Sequence, residues 1–231
     1  MSNPWKEIQL NDYENHMKLD SVFQFQTLNN IMKEQLCAYD TKSVMILGVA
    51  GGNGLEHIGK DDFDVVYGVD INEKYLQACE KRHARLQGTF TPICADLLRE
   101  NVALPHADLL IANLLLEYIG YENFLKTLKT VNPSYVSCVI QKNTGEAFVS
   151  DSPYIHAFDR LEEVHHRMDE DVLIRQMKAA AYKERLIHAV DTPNGKKLVR
   201  MDFVFNGFRF DLKEIFSLEM KRIDDVELMY R

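Results

Sequence analysis

The sequence predicts an α/β domain: a mostly parallel, seven-stranded sheet with helices on both faces, a C-terminal antiparallel hairpin and a helical segment in front. Three observations carry this. Short, continuous apolar runs alternate with stretches of helical period between residues 43 and 140. Strands buried on both faces read as such runs, and a strand–helix alternation means parallel pairing with right-handed crossovers. Near the C-terminal side, Asp191-Thr192-Pro193-Asn194-Gly195 separates two apolar-rich runs, and Asn-Gly there is a hairpin signal.

The elements follow in order. Residues 5–38 read as helical. Val22, Phe25, Leu28, Ile31, Met32 and Leu36 recur at spacings of three and four, with Asp20 or Ser21 as a cap. Ser43 to Val49 is a buried strand that runs into Ala50-Gly51-Gly52-Asn53-Gly54, and Leu55 to Ile58 starts a helix. Asp64 to Val69 is a second strand, ending at Asp70, and Glu73 to Leu86 is helical. Phe90 to Cys94 and Ala107 to Ala112 are strands that end at Asp96 and Asn113. Glu122 to Thr130 is helical up to Pro133, and Tyr135 to Ile140 is a fifth strand. Glu170 to Tyr182 reads as a helix with acid at its start and lysine near its end. Arg185 to Val190 and Lys197 to Phe205 form the hairpin, and residues 206–231 are amphipathic without a clear period. The expected division is a helical lid over residues 1–40 and a binding domain over 41–231.

Composition bounds the function. With 27 basic and 35 acidic side chains the formal charge is −8. The chain has no basic run for a phosphate backbone, so nucleic acid is not the expected partner. The first ten residues lack the apolar core of a signal peptide, and no apolar stretch reaches the ~18 residues of a membrane span. Cys37, Cys79, Cys94 and Cys138 form no CxxC pair. Buried thiols at Cys94 and Cys138 and a reducing cytoplasm are expected.

The glycine cluster is the strongest local signal. A loop of this kind lets backbone approach a ligand and aims helix N–H groups at it. Asp70 lies 20 residues beyond Ala50, where a carboxylate can accept bonds from both hydroxyls of an adenosine ribose. Asp96 ends the next strand, within reach of an adenine amino group. The dinucleotide pattern GxGxxG would need a third glycine where His57 stands. The spacing that fits is GxGxG, with Ala50, Gly52 and Gly54 in the glycine places.

On these residues the chain resembles the class I S-adenosylmethionine-dependent methyltransferases. The matching pieces are Val44 to Gly54, Val66 to Asn72, Ile93 to Leu98 and Ala107 to Asn113, within a likeness that covers about residues 41–205. The resemblance implies a Rossmann-like fold and S-adenosyl-L-methionine as cofactor. It implies that the loop (Gly48, Ala50, Gly51, Gly52, Asn53, Gly54) contacts the methionine part. Asp70 would hold the ribose and Ile71 pack on adenine; Asp96 and Leu97 would read the adenine edge. Asn113, Leu114 and Leu115 would flank the sulfonium. Two departures stand out: many members carry an acid at the place of Gly48 and a glycine at the place of Ala50. Glu56 is a candidate to replace the acid, and alanine at 50 requires a backbone that avoids positive φ.

Methyl transfer from a sulfonium needs alignment, desolvation and sometimes a base, so no universal motif names the acceptor. Asn113-Leu114-Leu115-Leu116 lacks the Pro-Pro-aromatic of amino-methylating nucleic-acid enzymes, and no Pro-Cys pair is present. The expected acceptor is a small molecule with a reactive O, N or S. Catalytic candidates are Glu117, Tyr118, His156 and Tyr13, beside lid residues Trp5, His16, Tyr154, His165 and His166. His165-His166 alone does not make a metal site, and none is expected. The rivals are a nicotinamide-dependent oxidoreductase, an aminopropyltransferase and a non-catalytic adenosylmethionine-binding protein. The sequence does not fix the oligomeric state.

Overall fold

The computed structural model describes residues 3–143 and 148–207. The sequence readings at 144–147 and 208–231 lie outside them. The seven strands are β1 (Ser43–Leu47), β2 (Val65–Asp70), β3 (Phe90–Cys94), β4 (Leu109–Asn113), β5 (Tyr135–Lys142), β6 (Tyr182–Asp191) and β7 (Lys197–Phe205). They form one sheet in the order β3-β2-β1-β4-β5-β7-β6. The first five strands pair in parallel, and β7 joins β5 and β6 antiparallel.

The apolar runs explain this. In β1 and β4 successive side chains go to opposite faces. Met45, Leu47, Leu110 and Ala112 enter one core. Val44, Ile46, Leu109 and Ile111 enter the other. The first core is covered by α4 (Leu116–Val131) and α5 (Glu170–Ala179) through Phe124, Leu128, Leu173 and Met177. The second is covered by α2 (Gln24–Cys37) and α3 (Glu73–Arg82) through Met32, Leu36, Leu76 and Cys79. α1 (Leu10–Lys18) packs beside α2, with Met17 against Leu28 and Ile31.

Five local expectations are corrected. After the glycine run there is no α-helix but a single 3-10 turn, Leu55–His57. Ile58 is already extended, and Gly59 follows it with its N–H held by Asp62. The space such a helix would fill is taken by α2, whose Met32 lies where a Cβ on Gly54 would fall. Neither Asp20 nor Ser21 caps α2: its first turn starts from Phe23 at φ 53, because the preceding turn drives Val22 into complete burial. α4 begins at Leu116, six residues early, and Gly120 (φ 70, ψ 167) interrupts it after one turn. The helix expected to reach Tyr182 ends at Ala179. Ala181 has φ 65, and Tyr182 opens β6 with its hydroxyl bonded to the Pro133 carbonyl at 2.8 Å. Cys138 is buried as expected, whereas Cys94 is exposed because β3 is an edge strand.

Registers align the carboxyl ends of the central strands. Leu47 faces Val69 and Ala112, Asp70 faces Cys94, and Asn113 faces Val139. The strand order reverses between β1 and β4, which is where an open α/β sheet forms its ligand crevice.

Candidate functional site

Three connected compartments lie along this edge. The first is walled by Gly48, Ala50, Asp70 and Ile71, by Asp96 and Leu97 after β3, and by Asn113, Leu114, Leu115 and Tyr118 after β4. Asn3, Trp5 and Tyr13 of the N-terminal segment form its cover. Two bonds tie that cover to the domain: Asn72 donates to the Trp5 carbonyl and the Tyr75 hydroxyl to the Ile8 carbonyl, both at 2.9 Å.

Asp70 organises the floor. Its Oδ2 accepts from the Ala50 N–H at 2.9 Å and its Oδ1 from the Asn72 N–H at 2.8 Å. Burial pushes the carboxyl pKa up while these N–H groups pull it down. Each oxygen keeps a further acceptor position.

Ala50 departs from the sequence expectation, since its φ is +46. Left-handed backbone costs an alanine about 1–2 kcal/mol, and the bond to Asp70 holds it there. The glycines at Gly52 and Gly54 serve packing. A Cβ on Gly52 would meet Cys79 Sγ at 2.7 Å and the His83 ring at 2.8 Å. Neither residue lines a compartment. Ala50→Gly is expected to stabilise the fold by about 0.5–1 kcal/mol, because relief of strain exceeds the added freedom of the unfolded chain. Denaturant unfolding checks this.

The third compartment continues from the glycine run and is lined by Gly48, Ala50, Gly51, Asn53, Asn113, Tyr13 and Glu14. Glu14, on α1, is buried and pairs with Arg82 at 2.6 Å and Lys18 at 2.9 Å. Arg82 also donates to the Gly51 carbonyl at 2.8 Å. These cations hold the Glu14 carboxyl below its ordinary pKa against the pull of burial. An acid from the N-terminal segment thus stands beside the loop that lacks one at Gly48. Glu56 does not, because it bonds Asn29 and the Gly54 N–H and lines none of the three compartments. The Asn113 amide turns away from the crevice into a reciprocal pair with Gln35, at 2.9 and 2.8 Å.

The second compartment lies across an aromatic partition. Trp5 packs edge-on to Tyr118 (centroids 4.8 Å) and Tyr13 (5.6 Å). These rings and Leu114 line both sides. Beyond them stand His16, Gln24, Glu117, Gln141, Phe148, Phe158, Leu161, His165 and Lys196. Of the catalytic candidates, Tyr13, Tyr118 and Glu117 therefore meet here. His156 does not: its side chain is 88% exposed and pairs with Asp159 at 3.3 Å. His166 touches the site through its backbone, whose N–H donates to the Glu117 carbonyl at 2.6 Å.

Electrostatics distinguish this compartment. Glu117 Oε1 accepts from the Gln141 N–H at 2.7 Å, and Oε2 has no partner among the described residues. Burial pushes its pKa up to about 7. Burial, aided by Lys196, pushes His16 down to about 4, and its Nδ1 lies 2.8 Å from Ser152 Oγ. Burial lowers Lys196 to about 8, and its ammonium donates to the Phe148 carbonyl. Burial also lowers His165, which stacks on Phe148 at 4.0 Å. The sequence did not single out Lys196, Gln141 or Glu14. A lysine after Asn-Gly reads as turn surface; only the fold of the hairpin turns it inward. Among the described residues no group of three His, Cys, Asp or Glu is placed to hold a metal ion.

The Glu117 shift predicts a pH dependence. Between pH 4.5 and 7 the folded protein keeps a proton that the unfolded chain has released. This carboxyl therefore lowers stability as pH rises through that window. Glu117→Gln is expected to raise the melting temperature at pH 8, by at most about 3 kcal/mol of stability, and to change little at pH 4.5. His16 has the opposite sign: its contribution is lost as pH falls from 6.5 to about 4. Melts of Glu117→Gln at pH 4.5 and 8 separate the two.

No family model matches this sequence, and no curated protein matches it. Solved structures do. The N-methyltransferase NodS from Bradyrhizobium japonicum, in complex with S-adenosyl-L-homocysteine, aligns with TM-score 0.60 at 12% identity, over 89% of this chain and 100% of that one. Magnesium protoporphyrin IX methyltransferase from Synechocystis with bound adenosylmethionine aligns with TM-score 0.57 at 12% identity, over 78% of each chain. The [4+2]-cyclase SpnF aligns with TM-score 0.58 at 12% identity, over 77% of this chain and 80% of that one. The chain has the fold of the class I adenosylmethionine-dependent methyltransferases.

Proposed function

We propose that this chain is an S-adenosylmethionine-dependent methyltransferase that transfers a methyl group to O, N or S of a small molecule. One observation carries the reading: a crevice at the carboxyl edge of the sheet, with Asp70 and Asp96 on its wall, meets a second compartment across Trp5, Tyr13 and Tyr118. The fit to the cofactor rests on the acceptor positions that Asp70 keeps beside its two backbone bonds. Those positions suit the two ribose hydroxyls. Ile71 packs on the adenine and Asp96 and Leu97 take its edge. The methionine part fits the third compartment, where Gly48, Ala50, Gly51 and Asn53 supply backbone and Glu14 supplies the charge for its ammonium group.

The bound sulfonium provides a carbon ready for displacement. The chain's part is to hold the acceptor in line with it and exclude water. The aromatic partition and the N-terminal cover do this, so residues 3–18 act as a lid on the 41–207 domain and α2 anchors them. The four free cysteines suit a reducing cytoplasm; among the described residues no helix is long and apolar enough to cross a membrane. The acidic balance supports a small-molecule acceptor over nucleic acid. The missing third glycine disfavours nicotinamide chemistry. One fold hosts many chemistries, and a cyclase shares this one.

The test uses methyl-labelled adenosylmethionine with the purified protein and separate small-molecule and RNA fractions of a cell extract. Label in the low-mass fraction is expected. Label in RNA would remove the acceptor assignment. Cofactor binding with no transfer to either fraction would favour a non-catalytic binder.

A further inference from the structure

The second compartment carries two buried charged groups that the fold leaves incomplete. Glu117 is 4% exposed and its Oε2 has no hydrogen-bond partner among the described residues. Lys196 is 5% exposed. Its ammonium has three donors, and its partner among the described residues is one carbonyl, that of Phe148. No carboxylate lies within ion-pair distance of it among the described residues. The two groups are not a pair. They sit along one wall, joined through Gln141. The Gln141 N–H donates to Glu117 Oε1, and its Nε2 donates at 2.9 Å to the same Phe148 carbonyl that Lys196 uses. The Gln141 amide is fully engaged, since Gln24 donates to its Oε1 and it donates to Asn143, both at 2.6 Å. The wall is therefore fixed, and it presents an acceptor at one end and a donor at the other. Phe148, Phe158 and Leu161 line the same compartment with apolar surface. Leaving buried charges unpaired is costly unless a ligand completes them.

We propose that this compartment takes a zwitterionic acceptor: an amine against Glu117, an anionic group against Lys196, and an apolar body against Phe148, Phe158 and Leu161. The anionic group is a carboxylate or a phosphate, which Lys196 alone does not distinguish. The proposal rests on the methyltransferase reading. Glu117 Oε2 takes a proton from the bound ammonium. The freed nitrogen lone pair then forms a bond to the methyl carbon as the carbon–sulfur bond breaks. That electron pair returns to sulfur, leaving a neutral thioether, a protonated Glu117 and a methylated ammonium. Glu117 is thus the catalytic base, and Lys196 sets specificity.

The experiment is calorimetry on protein saturated with S-adenosylhomocysteine. The probes are L-phenylalanine, L-leucine and phosphoethanolamine, with 3-phenylpropionate and phenethylamine as partners lacking one charge, and phenol and thiophenol as neutral acceptors. At least one zwitterion is expected to bind ten or more times tighter than either single-charge partner. The amino acids and phosphoethanolamine separate carboxylate from phosphate. Lys196→Met is expected to erase the preference over phenethylamine, and Glu117→Gln the preference over 3-phenylpropionate. Adenosylhomocysteine affinity in both variants, expected within threefold of the parent, shows that they fold. Tightest binding by a neutral acceptor, no binding by any zwitterion, or an unchanged ranking in both variants would overturn the proposal. Failure of the parent to bind adenosylhomocysteine would instead overturn the reading beneath it, and the proposal with it.

Discussion

Asp70→Ala is expected to weaken adenosylmethionine binding by at least 100-fold. A buried carboxylate that accepts from two ribose hydroxyls contributes about 1.5–3 kcal/mol per bond, and about 2.7 kcal/mol is a hundredfold. The loss has a second source. Without the carboxylate the Ala50 and Asn72 N–H groups lose their partner. Ala50, at φ +46, then has nothing to hold its left-handed backbone. Unfolding stability is expected to fall by about 1–3 kcal/mol, which leaves a folded domain. Asp70→Asn keeps one acceptor oxygen and should lie between. Calorimetry and denaturant unfolding on the same samples separate binding from folding.

Removing residues 1–38 is expected to abolish folding, whereas removing residues 1–9 is not. The longer deletion strips α2 from the sheet. Ile46, Leu55, Val139 and Leu198 lose the cover of Met32, Leu36, Leu28 and Ile31. At about 1.5–3 kcal/mol per buried side chain the loss is roughly 6–12 kcal/mol, comparable to the whole stability of a domain. Asn113 and the buried Ser137 also lose Gln35, which bonds both at 2.9 Å. The shorter deletion removes Trp5, Ile8 and the two bonds to Asn72 and Tyr75. It opens the first compartment and should weaken cofactor binding several-fold in a folded protein. Circular dichroism and analytical gel filtration read the first outcome, and calorimetry the second.

The strands were legible because burial on both faces forces continuous apolar runs, as in Val44 to Leu47 and Leu109 to Ala112. The hairpin was legible because Gly195 must take φ +76 in a tight turn. Asp70, Asp96 and the glycine run were legible because strand ends in this architecture converge on one edge. The rest depended on distance in space. Nothing local announces that Glu14 reaches a loop 37 residues away, that Lys196 folds inward, or that Gln35 draws the Asn113 amide out of the crevice. The missing helix after Gly54 follows from competition: α2 fills that layer, and the chain is already extended at Ile58. His156 shows the converse, a residue with the right chemistry on a segment whose exposed side carries it.

The central claim is that the crevice beside Asp70 binds S-adenosylmethionine. Calorimetric titration of the purified protein with adenosylmethionine, adenosylhomocysteine and NAD tests it most directly. One-to-one binding of the first two, lost in Asp70→Ala, with no heat from NAD, is the predicted result. Binding of NAD without either adenosyl thioether ligand would contradict it and assign the crevice to a nicotinamide cofactor.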